Sequence, residues 1–165
     1  MAEKSNLKYS EAIAQAIDIC MSNDDNVYIM GLGVPDPSGI FGTTVGLEKK
    51  FGKKRAMDTP TSESAMTGIA VGSALAGMRP ILTHHRVEFA LLAMEPLLNQ
   101  AAKWKYVFGS SIPLVVRMII GRGWGQGPQH SQALQSLFAH VPGLKVVLPA
   151  SAYDAKGMLI SAIED

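Results

Sequence analysis

Four short apolar runs rich in strand-forming residues are spaced along this chain, and a helix-like pattern separates each from the next. That alternation restricts the fold more than any other feature of the sequence. The runs are Val27-Tyr28-Ile29-Met30, Arg79-Pro80-Ile81-Leu82-Thr83, a stretch within 112–120, and 144–148. Val27-Tyr28-Ile29-Met30 is apolar throughout, and the other runs are mostly so, without the regular polar alternation of a half-exposed strand, as in parallel strands buried on both faces. Strands and helices in this order specify a parallel sheet between two helical layers, a three-layer α/β/α architecture. With 165 residues, 47% of them hydrophobic and 18% charged, the chain has enough material for one such core, so residues 1–165 are expected to form a single domain.

The helical patterns can be placed from their apolar spacing. Ser10 is positioned to cap a helix bearing Ile13, Ile17, Cys20 and Met21, which ends at Asn23-Asp24-Asp25-Asn26. Residues 46–51 read as a brief helix, and a longer one starts near Ala65. From Phe89 to about Lys105 the expected stripe is Leu91, Met94, Leu98 and Ala101, with a kink at Pro96. A further helix carries Leu134, Leu137, Phe138 and Val141. The last is opened by Ser151 with Asp154 three residues on, a variant capping box, and turns Ala155, Leu159, Ala162 and Ile163 inward.

Several function classes are disfavoured. A formal net charge of +1 gives no bulk attraction to nucleic acid or to a membrane surface. The single cysteine, Cys20, permits no intrachain disulfide and fits a reducing compartment. No stretch reaches the length of a membrane span, and the polar residues 1–8 lack a signal-peptide core. An intracellular location is therefore expected: cytoplasmic, or the mitochondrial matrix in a eukaryote. Gly31-Leu32-Gly33 after the first run resembles the start of a dinucleotide fingerprint, but Asp36 stands where the third glycine belongs, and Pro35 and Pro37 interrupt the helix start.

Candidate functional residues collect where runs end. In Asp58-Thr59-Pro60-Thr61-Ser62-Glu63-Ser64-Ala65-Met66-Thr67-Gly68-Ile69-Ala70-Val71-Gly72, a polar loop passes into a helix at Glu63. A carboxylate there is either a first-turn cap or a functional acid held at the positive end of the helix. Gly68, Gly72 and Ala76 clear one side of that helix for the sheet or for a partner. His84-His85-Arg86 follows the second run; adjacent histidines on extended backbone diverge, and only Glu88 stands nearby as a further ligand, so polar contacts or substrate binding are expected rather than a metal. The loop Gly121-Arg122-Gly123-Trp124-Gly125-Gln126-Gly127-Pro128, in which Trp124 is a lid or an anchor, delivers His130 to the carboxyl side of the sheet. His140 reads as a helix C-terminal partner, and Lys49-Lys50 with Lys53-Lys54-Arg55 as a solvated basic face.

Taken together, Asp58 to Glu63, Gly68-Ile69-Ala70-Val71-Gly72, Gly77-Met78-Arg79-Pro80, Asn99-Gln100-Ala101-Ala102-Lys103, Gln129-His130-Ser131-Gln132, Pro142-Gly143-Leu144-Lys145-Val146-Val147 and Asp154-Ala155-Lys156-Gly157 resemble, in order, the beta chain of thiamine-diphosphate-dependent 2-oxoacid dehydrogenases of the pyruvate, branched-chain and acetoin type. The similarity covers their transketolase-like, pyrimidine-binding domain. Related beta chains continue with a further strand and a C-terminal domain, so either this chain is a fragment or another polypeptide supplies the rest.

The resemblance implies a role for each matching residue. Glu63 is matched to the glutamate that activates the cofactor's aminopyrimidine, Phe89 to the aromatic residue on the pyrimidine face, and Thr61 to a residue lining that ring. His130 is matched to the active-site histidine for substrate or acyl-group handling. It further implies an enzyme active only with an alpha-type chain that binds the diphosphate and its magnesium, in a heterotetramer or at least a dimer, acting on a 2-oxo acid or transferring a ketol or acyl unit. Leu32 and Gly33 replace two acidic residues of the family, and residues 83–88 depart from its acidic and aromatic segment. Those departures keep two alternatives open: transketolase-type sugar transfer, with the histidines and arginine on hydroxyls or phosphate, or a non-catalytic assembly subunit.

Overall fold

The structure is a computed structural model and describes residues 7–121 and 125–165; Arg122, Gly123 and Trp124, at the centre of the glycine-rich loop, lie outside the described residues. Four strands, β1 (Val27–Met30), β2 (Ala56–Met57), β3 (Arg79–His84) and β4 (Val115–Met118), form one parallel sheet in the order β2-β1-β3-β4. β1 is central, with Ile29 opposite both Ala56 and Ile81. The two-residue β2 is too short to stand out as a hydrophobic run in the sequence.

Alternation along β1 sorts the helices into two layers. Val27 and Ile29 join Ile17, Cys20 and Met21 of α1 (Tyr9–Asn23), Leu47 of α2 (Leu47–Phe51) and Ile163 of α6 (Ala152–Glu164). Tyr28 and Met30 face the opposite way, onto Met66 and Ala70 of α3 (Glu63–Leu75). The expected α/β/α sandwich is therefore present. At the glycine that ends β1, Gly31, a side chain would collide with the carbonyl of Thr83, so this residue permits the close approach of the β1 and β3 ends.

Local details differ from expectation in four places. α1 begins one residue before Ser10, and the Lys8 backbone N–H donates to Glu11 Oε2 at 3.0 Å. The 89–108 stretch is helical but changes pitch, from a 3₁₀ turn (Phe89–Ala93) through a π-helical segment (Glu95–Ala101) to α4 (Ala102–Phe108). Pro96 at the start of the π segment offers no N–H, and the change of pitch rotates the buried stripe to Ala90, Ala93 and Leu97, leaving Leu91 exposed. The brief α5 (Gln135–Ala139) buries Phe138 alone of its stripe and leaves Leu137 exposed.

The fourth difference is a correction: 144–148 is not a strand. Its composition suits one, but its backbone is tied elsewhere. Gly143, at φ 98°, lies so close to helix α4 that a Cβ would overlap the Ala102 carbonyl, and the Tyr9 hydroxyl donates to the Pro149 carbonyl at 3.0 Å. Held between those points, the segment makes no ladder pairing among the described residues, and Val146, Val147 and Leu148 are exposed.

The basic cluster closes the α1 side. Lys50 Nζ pairs with Asp18 at 2.6 Å, and Arg55 donates to the carbonyls of Met21, Asp24 and Val27. At the other end of the chain Ser151 caps α6, accepting from the Asp154 N–H at 3.1 Å while its hydroxyl donates to the Asp154 carboxylate. Replacing Gly143 by alanine is expected to lower the unfolding free energy by about 2–4 kcal/mol in urea titration, through backbone overlap and a disfavoured φ. An unchanged midpoint would show that residue 143 is free to leave Ala102.

Candidate active site

The carboxyl ends of all four strands face one edge of the sheet, as parallel pairing requires, and the loops leaving them bring the candidate residues there. After β1, Gly31 to Val34 turn back on themselves, and the Gly33 N–H donates to Asp58 Oδ1 at 2.9 Å. The same oxygen accepts the Thr59 N–H. Asp58 thus ties the β1 loop to the loop that enters α3, a structural duty the sequence alone did not disclose.

Glu63 opens α3, after Ser62 at the N-cap. It is half-buried, and its carboxylate makes no hydrogen bond among the described residues. Thr61 is exposed in the approach to it. The helix is pinned to the sheet by two polar contacts. Tyr28 Oη lies 2.6 Å from Ser73 Oγ, a hydroxyl–hydroxyl hydrogen bond between β1 and α3. One turn after Glu63, Thr67 Oγ1 donates to the Glu63 carbonyl at 2.7 Å and lies 3.3 Å from His84 Nε2.

Because the Thr67 proton is committed to Glu63, His84 must donate through Nε2. Its Nδ1 is buried without a partner. Burial lowers the pKa of this imidazole from 6.5 to about 4, so it stays neutral at physiological pH.

For the segment after β3 the sequence leaves polar contacts or substrate binding open, and the structure gives His84 and Arg86 polar contacts within the protein. His84 is inside, against Thr67. Arg86 is buried, and its Nη1 donates to the His130 carbonyl at 2.6 Å. His85 alone of the three is partly exposed, edge-on to Phe41 with ring centroids 5.7 Å apart. Phe41 has a φ of 49°, in the left-handed region that a phenylalanine rarely adopts, and is exposed beside this edge.

Glu88 and Phe89 come next, and both meet His130. The Glu88 side chain is only 6% exposed, and its Oε1 lies 2.5 Å from His130 Nδ1. The Phe89 ring, half-buried, stands 5.6 Å from the imidazole centroid. His130 itself remains about a third open, at 32%. The sequence singled out Phe89 and His130 without showing that Glu88, 42 residues earlier in the chain, joins them. His140 is exposed at the C-cap of α5, where its own N–H donates to the Ser136 carbonyl.

Residues 5–165 match the family model described as "Transketolase, pyrimidine binding domain". The chain belongs to the transketolase pyrimidine-binding domain family. This pyrimidine-binding domain is 42% identical to the acetoin:2,6-dichlorophenolindophenol oxidoreductase subunit beta of Cupriavidus necator, over all of this chain and 52% of that one. It is 40% identical to the 2-oxoisovalerate dehydrogenase subunit beta of Bacillus subtilis, over 98% and 50%. It is 43% identical to the mitochondrial pyruvate dehydrogenase E1 component subunit beta of Bos taurus, over 94% and 44%. The domain thus spans about half the length of the curated relatives it matches.

A solved structure described as "Split gene transketolase, inactive beta4 tetramer" superposes with a TM-score of 0.75 at 18% identity, over 95% of this domain and 48% of that chain, which shows a shared fold. Among the described residues no helix is long and apolar enough to cross a membrane, and no three His, Cys, Asp or Glu side chains are grouped to hold a metal ion.

The buried His84 makes stability depend on pH. Between pH 6.5 and about 4 the unfolded imidazole takes up a proton that the folded one refuses, so stability falls as pH drops through that window and is unaffected by this group above it. The loss should approach about 3 kcal/mol at pH 4. Urea titrations of the native chain and of His84→Phe at pH 7 and pH 4.5 measure it, and the variant should lose less stability on acidification.

Proposed function

We propose that this chain is the beta-type, pyrimidine-binding part of a thiamine-diphosphate-dependent enzyme that decarboxylates a 2-oxo acid or transfers a ketol or acyl unit. The observation that carries the reading is Glu63. Its carboxylate stands in the first turn of a helix pinned to the sheet, at the edge where a parallel sheet binds ligands, with no protein group among the described residues to hydrogen-bond it. Phe89 and His130 occupy the same edge. An acid for a ring nitrogen and an aromatic side chain for a ring face are the donor set that an aminopyrimidine needs.

In this reading Glu63 holds a proton at the pyrimidine N1′ nitrogen, and its place in the helix first turn fixes the direction of that hydrogen bond. Phe89 covers one face of the ring, and Thr61 lines the same ring. His130 handles a proton or an oxygen of the substrate. Thiamine diphosphate, when bound there, would supply an acidic thiazolium carbon as the nucleophilic centre that these side chains serve.

The diphosphate and magnesium are assigned to an alpha-type chain, in a heterotetramer or at least a dimer, because the three relatives above are each named as a beta subunit. The open side of α3 supports that partner. Side chains added at Gly68 or Gly72 would touch nothing within 4 Å, so this face does not pack on the sheet, and Ile69 beside it is 61% exposed. A 2-oxo acid is preferred over a sugar phosphate because Arg86, the strongest candidate for phosphate in the segment after β3, is buried and serves the protein's own backbone.

Calorimetric titration of thiamine diphosphate with magnesium into this chain assembled with its alpha-type partner tests the reading, with turnover of pyruvate, 2-oxoisovalerate and acetoin assayed alongside. The native pair is expected to bind and turn over one of them. Glu63→Gln and Glu63→Ala should keep the assembly and lose turnover by about a hundredfold or more. A properly assembled native pair that never binds the cofactor would replace the enzyme with an assembly subunit.

A further inference from the structure

The Glu88–His130 pair joins two loops at the candidate site. Glu88 ends the passage from β3 into the Phe89–Ala93 turn, and its backbone is fixed on both sides. The N–H of Val87 donates to the Ile119 carbonyl beyond β4, and the N–H of Leu91 donates to the carbonyl of Glu88 itself. The same segment also holds His130 through its carbonyl, which accepts from Arg86 Nη1 at 2.6 Å. The two backbones thus tied present a carboxylate and an imidazole to each other, with Glu88 Oε1 and His130 Nδ1 at 2.5 Å.

A carboxylate buried this deeply requires a donor, and ionised it can only accept. With Glu88 ionised, Nδ1 of His130 carries the proton of this hydrogen bond. In the neutral imidazole this leaves the lone pair on Nε2, on the edge of the ring away from Glu88. The ring is about one-third open while Glu88 is almost fully enclosed, so the partnered nitrogen faces inward and the ring keeps an accessible edge. Phe89 packs beside it at 5.6 Å.

We propose that Glu88 is a positioning residue, which by accepting the Nδ1 proton of His130 fixes the tautomer and orientation in which Nε2 meets the substrate. This deepens the function proposed above and rests on it for the identity of the reaction. The protein then contains two histidines of opposite tautomer at one end of its sheet: His84 donates from Nε2 to Thr67 and His130 donates from Nδ1 to Glu88. A carboxylate behind an imidazole acts in this way in other settings, and its loss there costs on the order of ten- to a hundredfold in activity.

The test is nitrogen NMR by magic-angle spinning on the full-length protein labelled with ¹⁵N-histidine, at a pH above the ordinary histidine range. The chain has four histidines, and single substitutions assign their signals. His130 is expected as the Nδ1–H tautomer in the native protein, with His84 as an Nε2–H internal reference. Glu88→Gln, which keeps an acceptor oxygen, should preserve the His130 tautomer, whereas Glu88→Ala should shift it toward Nε2–H. An Nε2–H tautomer in the native protein, or no change with Glu88→Ala, overturns the proposal.

Turnover in the assembled enzyme provides the second readout. Glu88→Ala should lower kcat by about ten- to a hundredfold with the Kd for thiamine diphosphate unchanged, and should cost nothing further in a His130→Ala background. Full turnover by Glu88→Ala removes the positioning role. If the tautomers are as expected but the assembled native enzyme never binds cofactor, the function proposed above fails while the Glu88 to His130 hydrogen bond stands, so the two failures are distinguishable.

Discussion

Parallel pairing of β1 between β2 and β3 is the constraint on which the other features depend. A parallel ladder forces every connection to cross the sheet, so each loop that leaves a strand emerges at the same edge. Glu63, Glu88 and His130 follow three different strands, yet the ladder gathers them at one end of the molecule. Alternation along β1 also separates the helical layers, with α1 and α6 on the face of Val27 and Ile29 and α3 on the face of Tyr28 and Met30. The helix that bears Glu63 is therefore placed by side-chain parity four residues long.

Met66 and Ala70 of α3 pack on that face, and apolar contact of this kind is non-directional. Two hydrogen bonds to the sheet restrict the helix. Tyr28 reaches Ser73 near the C-terminal end, and His84 reaches Thr67 one turn from the start. The second contact continues from Thr67 to the carbonyl of Glu63, so a buried neutral imidazole in β3 helps to set where the acid at the helix start can stand. This gives His84 a structural role, the first of the two readings, polar contact or substrate binding, that the sequence leaves open.

Much of this was legible in the sequence because it followed from periodicity and from residue type at element ends. The runs of β1 and β3 and the caps of α6 needed no tertiary information. What was not legible depended on distance through space. β2 has two residues, too few to make a pattern. The 144–148 run has the composition of a strand, but its ends are drawn to Ala102 and Tyr9 instead of to a neighbouring ladder. The stripe of the 89–108 helix was mis-phased because 3₁₀ and π turns do not keep the 3.6-residue repeat from which it was counted. Glu88 is one acidic residue in a loop until the fold sets it against His130.

Two carboxylates at the same edge illustrate how environment divides roles between identical side chains. Glu88 is enclosed and its oxygen is occupied by an imidazole; Glu63 is half-buried and its oxygens are left to whatever enters. A buried carboxylate with one short, fixed partner is suited to orienting that partner, and a poor choice for binding a ligand, because exchange would strand a charge in the interior. A half-buried carboxylate at a helix start can exchange water for a ligand at little cost, since the unpaired N–H groups and the helix dipole favour its charge throughout. The acid at α3 is held by Thr67, His84 and Tyr28 from below, while Arg86 and Glu88 act on the His130 loop, so each carboxylate is positioned by its own set of contacts.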